Sequence, residues 1–157
     1  MREFVFFSIL LVYSAALSFL THCFPPLYHE EIERVAEEFD LDPALLAALV
    51  RVESSFNPSA VSPAGAVGLA QVMPHTADWI GEKLGVKGKL EDPMDNLRMG
   101  AAYLRYLLEK FKDLKKALKA YNVGPYALSS KDESAERYAS KVLLAYRVYR
   151  LLYRWGG

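Results

Sequence analysis

Leu46, Leu49, Val50 and Glu53 recur at i, i+3, i+4 and i+7, so a carboxyl group shares a helix face with an apolar stripe. Burial disfavours the charged form of a carboxyl and raises its pKa. A carboxylic acid kept protonated near neutral pH can donate a proton as a general acid. The alternative reading of Glu53 is a helix-end glutamate that pairs with a buried arginine or reaches water. A second signal is scarcity. Gln71 is the sole glutamine, and the asparagines are Asn57, Asn96 and Asn122. Few amides alongside plentiful Lys and Glu is a composition common in proteins from hot environments. It directs attention to the four that remain.

The elements that must position these residues are helices. Ile32, Val35, Ala36 and Phe39 follow an amphipathic helical spacing. Asp42-Pro43 reads as an N-cap followed by proline at the first helical position. The helix it opens is apolar nearly all round from Ala44 to Val52, as a core helix is. "NPSAVSPAGAVG" is a loop, with the Gly, Pro and Ser that turns require. Pro74 starts a helix to about Lys83, and Asp92-Pro93 starts one to about Phe111. A shorter helix follows Asp113, and a last one runs from about Glu133 to Tyr153. No segment alternates with period two for long enough to make a convincing strand, so the expected fold class is all-α.

The chain has 157 residues, which favours a single folded domain. Nineteen basic residues balance nineteen acidic ones, against the basic excess expected of a nucleic-acid binder. Cys23 is the only cysteine, so no disulfide can form within one chain, and no Cys/His cluster has zinc-like spacing. Phe4 to Leu20 is an uncharged apolar run behind Arg2, with Pro25-Pro26 and the acidic Glu30 and Glu31 beyond it. It is long for a signal-peptide core and short for a spanning helix. The charge asymmetry keeps the N-terminus in the cytoplasm and exports the rest. Residues 1–24 are therefore expected to be a signal peptide or membrane anchor, and 25–157 the functional domain. A cleaved leader, a retained anchor and a lipidated Cys23 stay open.

"ESSFNPSAVSPAGAVGLAQVMP", from Glu53 to Pro74, resembles the catalytic region of the soluble lytic transglycosylases, relatives of goose-type lysozyme. Glu53-Ser54, Phe56-Asn57-Pro58, Ser62-Pro63 and Gly68-Leu69-Ala70-Gln71-Val72-Met73-Pro74 carry the likeness. Downstream, "DPMDNLRMGAAYL" and "AYNVG" (Ala120–Gly124) follow in the family's order. All four amides fall in these motifs. Two departures stand out: Ala70 replaces a usual methionine, and Glu136-Arg137-Tyr138 lacks the usual Glu-Thr-Arg before the last-helix tyrosine.

The resemblance implies a lysozyme-like helical domain that cleaves peptidoglycan between N-acetylmuramic acid and N-acetylglucosamine, with Glu53 as single acid/base and a 1,6-anhydro product. It implies sugar-groove roles for Ser62, Gln71, Met73, Tyr121 and Asn122, and a role for Tyr138 at the start of the last helix. Each has a plainer reading: turn chemistry for Ser62, core filling for Met73, packing for Tyr121. No cofactor and no metal are implied. The expected partners are glycan strands and, through the N-terminal run, the cytoplasmic membrane; nucleic acid is not among them. The expected location is the cell envelope or periplasm. Two alternatives stand beside this: a hydrolytic goose-type lysozyme, which would need a second carboxylate, and a non-catalytic peptidoglycan-binding module, in which Glu53 would be dispensable.

Overall fold

The computed structural model describes residues 2–25, 27–128, 132–153 and 155, with side chains at 2–5 and 8 left aside. Pro26 and the last two residues of the expected domain fall outside them. Among the described residues seven helices follow one another: α1 (Arg2–Cys23), α2 (His29–Glu38), α3 (Pro43–Ser54), α4 (Pro74–Lys83), α5 (Pro93–Phe111), α6 (Leu114–Val123) and α7 (Glu133–Leu152). Among the described residues there is no strand, only isolated bridges pairing Val67 with Val61 and Val72.

Four helices begin at an aspartate. Asp42, Asp92, Asp113 and Asp132 each accept from a backbone N–H of the first turn, satisfying donors that a helix start leaves open. Pro43 and Pro93 sit just inside two of these caps, where a missing N–H costs nothing.

α3 is the axis of the core. Ala44 through Val50 are all buried, and Leu46, Leu49 and Val50 are fully so. α7 packs along α3, and α6 lies between α5 and α7. At the far edge Arg98 of α5 pairs with Glu38 of α2.

The N-terminal helix has a different character. Phe6, Phe7, Leu11, Val12, Tyr13 and Phe19 are all exposed along it. Among the described residues no helix is long and apolar enough to cross a membrane. Where α1 ends, the fold grips the chain. Arg51 Nε donates to the Cys23 carbonyl at 3.1 Å, Tyr153 to that of Phe24 at 2.5 Å, and Tyr149 to that of Pro25 at 3.2 Å. The Phe24 ring meets fully buried Tyr149 edge-on, with centroids 5.7 Å apart.

Candidate active site

Glu53 stands in the last turn of α3, and the chain turns sharply just after it. Ser55 and Phe56 both take left-handed backbone conformations, with φ of 53° and 63°. Two such residues in succession, neither glycine, are costly and persist only where the surroundings impose them. Here those surroundings are visible. Phe56 is buried against Tyr149, and Ser54 Oγ donates to the Leu69 carbonyl at 2.8 Å. The end of α3 is thereby tied to the loop that carries the Gly-Leu-Ala-Gln run.

That loop is held from three further sides. Fully buried Asn96, on α5, accepts from Ala70 N at 2.8 Å and donates to the carbonyls of Val67 (2.8 Å) and Leu90 (3.0 Å). Tyr121, on α6, donates to the Ala70 carbonyl at 2.9 Å. Gln71, itself at φ 49°, donates through Nε2 to the carbonyls of Ala60 (3.1 Å) and Gly68 (3.0 Å). The packing admits only small residues here. A Cβ on Gly68 would lie 2.5 Å from the Asn96 side chain, and one on Gly100 would lie 2.3 Å from the Ala70 Cβ. The close approach of α5 at Gly100 explains a small residue at position 70.

The Tyr138 hydroxyl, from the second turn of α7, donates a hydrogen bond to Glu53 Oε1. The glutamate therefore meets a phenol, not the arginine of the plainer reading; Arg51 is turned to the Cys23 carbonyl and Ser55. Burial pushes the Glu53 carboxyl up to about 7, and the Tyr138 bond, which favours the charged form, opposes part of that rise. Burial and the nearby Glu53 charge hold the phenols of Tyr121 and Tyr138 well above their ordinary value. Both phenols thus remain donors at any pH where Glu53 titrates.

Beside these residues lies a cleft of about 540 Å³. Gln71, Met73, Tyr121 and Asn122 line it, four of the seven residues singled out from the sequence. Ser62 does not; its hydroxyl accepts from Ala66 N at 3.0 Å and shapes the loop turn. Glu53 and Tyr138 form a pair of their own, electrostatically coupled to the cleft through Tyr121. The sequence reading missed the aromatic wall of the cleft. Trp79 of α4 stands 4.8 Å from Tyr106 and 6.1 Å from Tyr103 of α5, centroid to centroid, and Tyr126 stands on the loop after α6. The i, i+3 spacing of Tyr103 and Tyr106 was the available signal. A protonatable acid beside a cleft with aromatic walls and amide edges suits proton transfer to a large ligand that is polar at its edges and apolar on its faces.

Residues 30–144 match the model of the transglycosylase SLT domain. The chain is 43% identical over 95 residues to a transglycosylase of Enterobacteria phage PRD1, covering 60% of this chain and 34% of that protein. It is 33% identical over 140 residues to a membrane-bound lytic murein transglycosylase C of Haemophilus influenzae, covering 77% and 39%. Its fold superposes with a TM-score of 0.74 on an inactive Glu-to-Gln mutant of the lytic transglycosylase Slt from Pseudomonas aeruginosa, at 29% identity, over 82% of this chain and 24% of that one. The chain thus spans well under half the length of these proteins. The last likeness also extends the all-helical assignment to the lysozyme-like arrangement of that family.

Proposed function

Because the chain belongs to the transglycosylase SLT domain family, we propose that it is a peptidoglycan lytic transglycosylase with Glu53 as its single acid/base. The observation that carries this is the placement of Glu53 at the end of α3, hydrogen-bonded by the Tyr138 hydroxyl beside the aromatic cleft, where burial pushes its carboxyl up to about 7. An ordinary glutamic acid is protonated in about 0.3% of molecules at pH 7, whereas one titrating there is protonated in about half. It can therefore give a proton and take one back under the same conditions.

In the proposed reaction, Glu53 gives its proton to the oxygen linking N-acetylmuramic acid to N-acetylglucosamine. The bond from the muramic C1 to that oxygen breaks as positive charge develops on the ring. The Glu53 carboxylate, still within reach of the Tyr138 hydroxyl, then takes the proton of the muramic 6-hydroxyl, and that oxygen closes onto C1. The proton returns to Glu53, no water is consumed, and the product carries a 1,6-anhydro ring. Gln71, Met73, Tyr121 and Asn122 line the sugar groove, and Tyr138 positions the acid.

Hydrolysis with inversion would require a second carboxylate about 6.5–9.5 Å away to hold a water. The sequence offers Asp78, Glu91, Asp92 and Asp95 as candidates. Asp92 is committed to the helix cap and Asp95 to Lys89 N. Among the described residues, burial and the Tyr138 hydroxyl are the influences that set the Glu53 titration. These features support the lyase over the hydrolase. We place the domain, residues 25–157, outside the cytoplasmic membrane, exported by the apolar segment before it.

Mass spectrometry of fragments released from purified sacculi tests the reading. The expected products are 1,6-anhydromuropeptides, each lighter by one water than the hydrolytic product. A majority of reducing-end products would make the chain a lysozyme instead.

A further inference from the structure

At the mouth of the cleft stands a cation, Lys110, that pairs with no carboxylate among the described residues. Lys110 lies one turn beyond Tyr106 on α5. Its Nζ donates to the Tyr106 hydroxyl at 3.3 Å and stands 4.6 Å from the Tyr126 ring centroid, 5.6 Å from that of Tyr106 and 6.0 Å from that of Phe111. Tyr106 and Tyr126 both line the cleft, so Lys110 bridges its two walls at the rim. Among the described residues no carboxylate lies within ion-pair distance of it, and none lines the cleft. The adjacent Glu109 is taken by Arg105. Other lysines nearby differ: Lys115 and Lys119, on the basic face of α6, both pair with Glu136.

Three aromatic rings fix the ammonium in place, but rings neutralise a charge only in part. An ammonium has three donors, and the side turned away from the rings is open to an anion. The glycan of peptidoglycan supplies none. Its sugars carry hydroxyls and acetamido groups, and the lactyl carboxyl of muramic acid is consumed in the amide bond to the peptide stem. Free carboxylates occur on the stem.

We propose that Lys110 is a stem-peptide receptor: it takes a free carboxylate of the peptide borne by the muramic acid seated along the Trp79–Tyr103–Tyr106 wall. This rests on the transglycosylase reading and deepens it, because it makes the preferred substrate a peptide-bearing strand whose stem carboxylates are free. Lys110 is a specificity residue and takes no part in proton transfer.

The test separates binding from turnover. The full chain carrying Glu53→Gln is titrated with a tetrasaccharide of the glycan bearing stems with free carboxylates, and with the same fragment after its carboxylates are amidated. The two ligands match in size and differ in charge. The expected preference for the free form is about three- to fivefold at low salt, the scale of an exposed ion pair, and it should shrink in 0.5 M NaCl as screening sets in. Adding Lys110→Met, which keeps an apolar side chain against the rings, should abolish the preference, and Lys110→Arg should keep it. Equal binding of the two ligands by the Glu53→Gln protein, or a preference that survives Lys110→Met, overturns the proposal. Failure of the functional reading would show elsewhere, in a wild-type chain that does not release anhydromuropeptides from sacculi.

Discussion

Glu53→Gln should separate the chemical value of the acid from its structural cost. In the folded protein burial holds the carboxyl at about 7, against 4.5 for an ordinary glutamic acid. The difference, about 2.5 units, corresponds to about 3.4 kcal/mol, an upper bound because the side chain keeps some contact with water. Its sign follows from which state binds the proton more tightly. The folded state does, so this group's contribution is fully present below pH 4.5 and is lost as pH rises from there to 7. Above pH 7 the folded protein carries a charge that burial disfavours and the unfolded chain does not resist. Glutamine cannot ionise, so the variant escapes that loss. At pH 8 Glu53→Gln should exceed wild type in stability by about 2–3 kcal/mol, or about 4–12 °C in melting temperature for a chain of this size. At pH 4 the two should unfold within about a degree of each other. Turnover should fall at both pH values by at least the 10²–10⁴-fold that general acid–base catalysis typically supplies. The assays are thermal unfolding at pH 4 and 8 and muropeptide release by the same preparations. A melting difference that does not change with pH would refute the assignment of the raised titration to burial of Glu53. Retention of a tenth of wild-type activity would refute the single-acid mechanism and leave room for a binding module.

Tyr138→Phe removes a donor that favours the charged carboxylate, so the alkaline limb of the pH–rate profile should move up by about one unit; a limb that stays or moves down would show that the bond does not set the acid. Gln71→Ala leaves the Ala60 and Gly68 carbonyls without their donor, and should cost about 1–2 kcal/mol in denaturant unfolding while also lowering muropeptide release. Unchanged stability would mean that the loop does not need this strut. Phe24→Ala strips the ring from Tyr149 and Arg51 at the grip on the α1 exit, and should cost about 1–2 kcal/mol. Equal melting of variant and wild type would show that the segment before α2 is no part of the folded unit.

Much of this arrangement could be read from local rules. A helix start announces itself by a cap, so Asp42-Pro43, Asp92-Pro93 and Asp113 marked their helices in the sequence alone. The place of Glu53 also followed from periodicity, because a stripe defined by Leu46, Leu49 and Val50 carries the residue at i+7 with it. The bond from Tyr138 could not be read this way. It spans 85 positions and exists because α7 packs along α3 with the hydroxyl level with the last turn, a matter of tertiary register. The aromatic wall was hidden for the same reason, since its rings come from α4, α5 and the loop after α6, and no single segment looks unusual.

The amides show most clearly where local reading stops. Scarcity marked all four as worth keeping without saying for what. Asn96 is fully buried with three bonds to backbone groups, and Asn57 accepts from Ser59 N in a turn. Asn122 is exposed at the cleft. Gln71 lies between these cases, with its donors spent on the loop and its side chain at the cleft wall. An amide can donate and accept at once. That versatility serves a backbone turn that lacks a partner as well as it serves a sugar. Composition selects for the capacity, and the fold decides which neighbour uses it. At Gln71 the two uses coincide, because the residue that shapes the loop stands on the loop that forms the groove. A substitution there should therefore perturb stability and activity together, a coupling that resemblance to a binding motif alone would not lead one to expect.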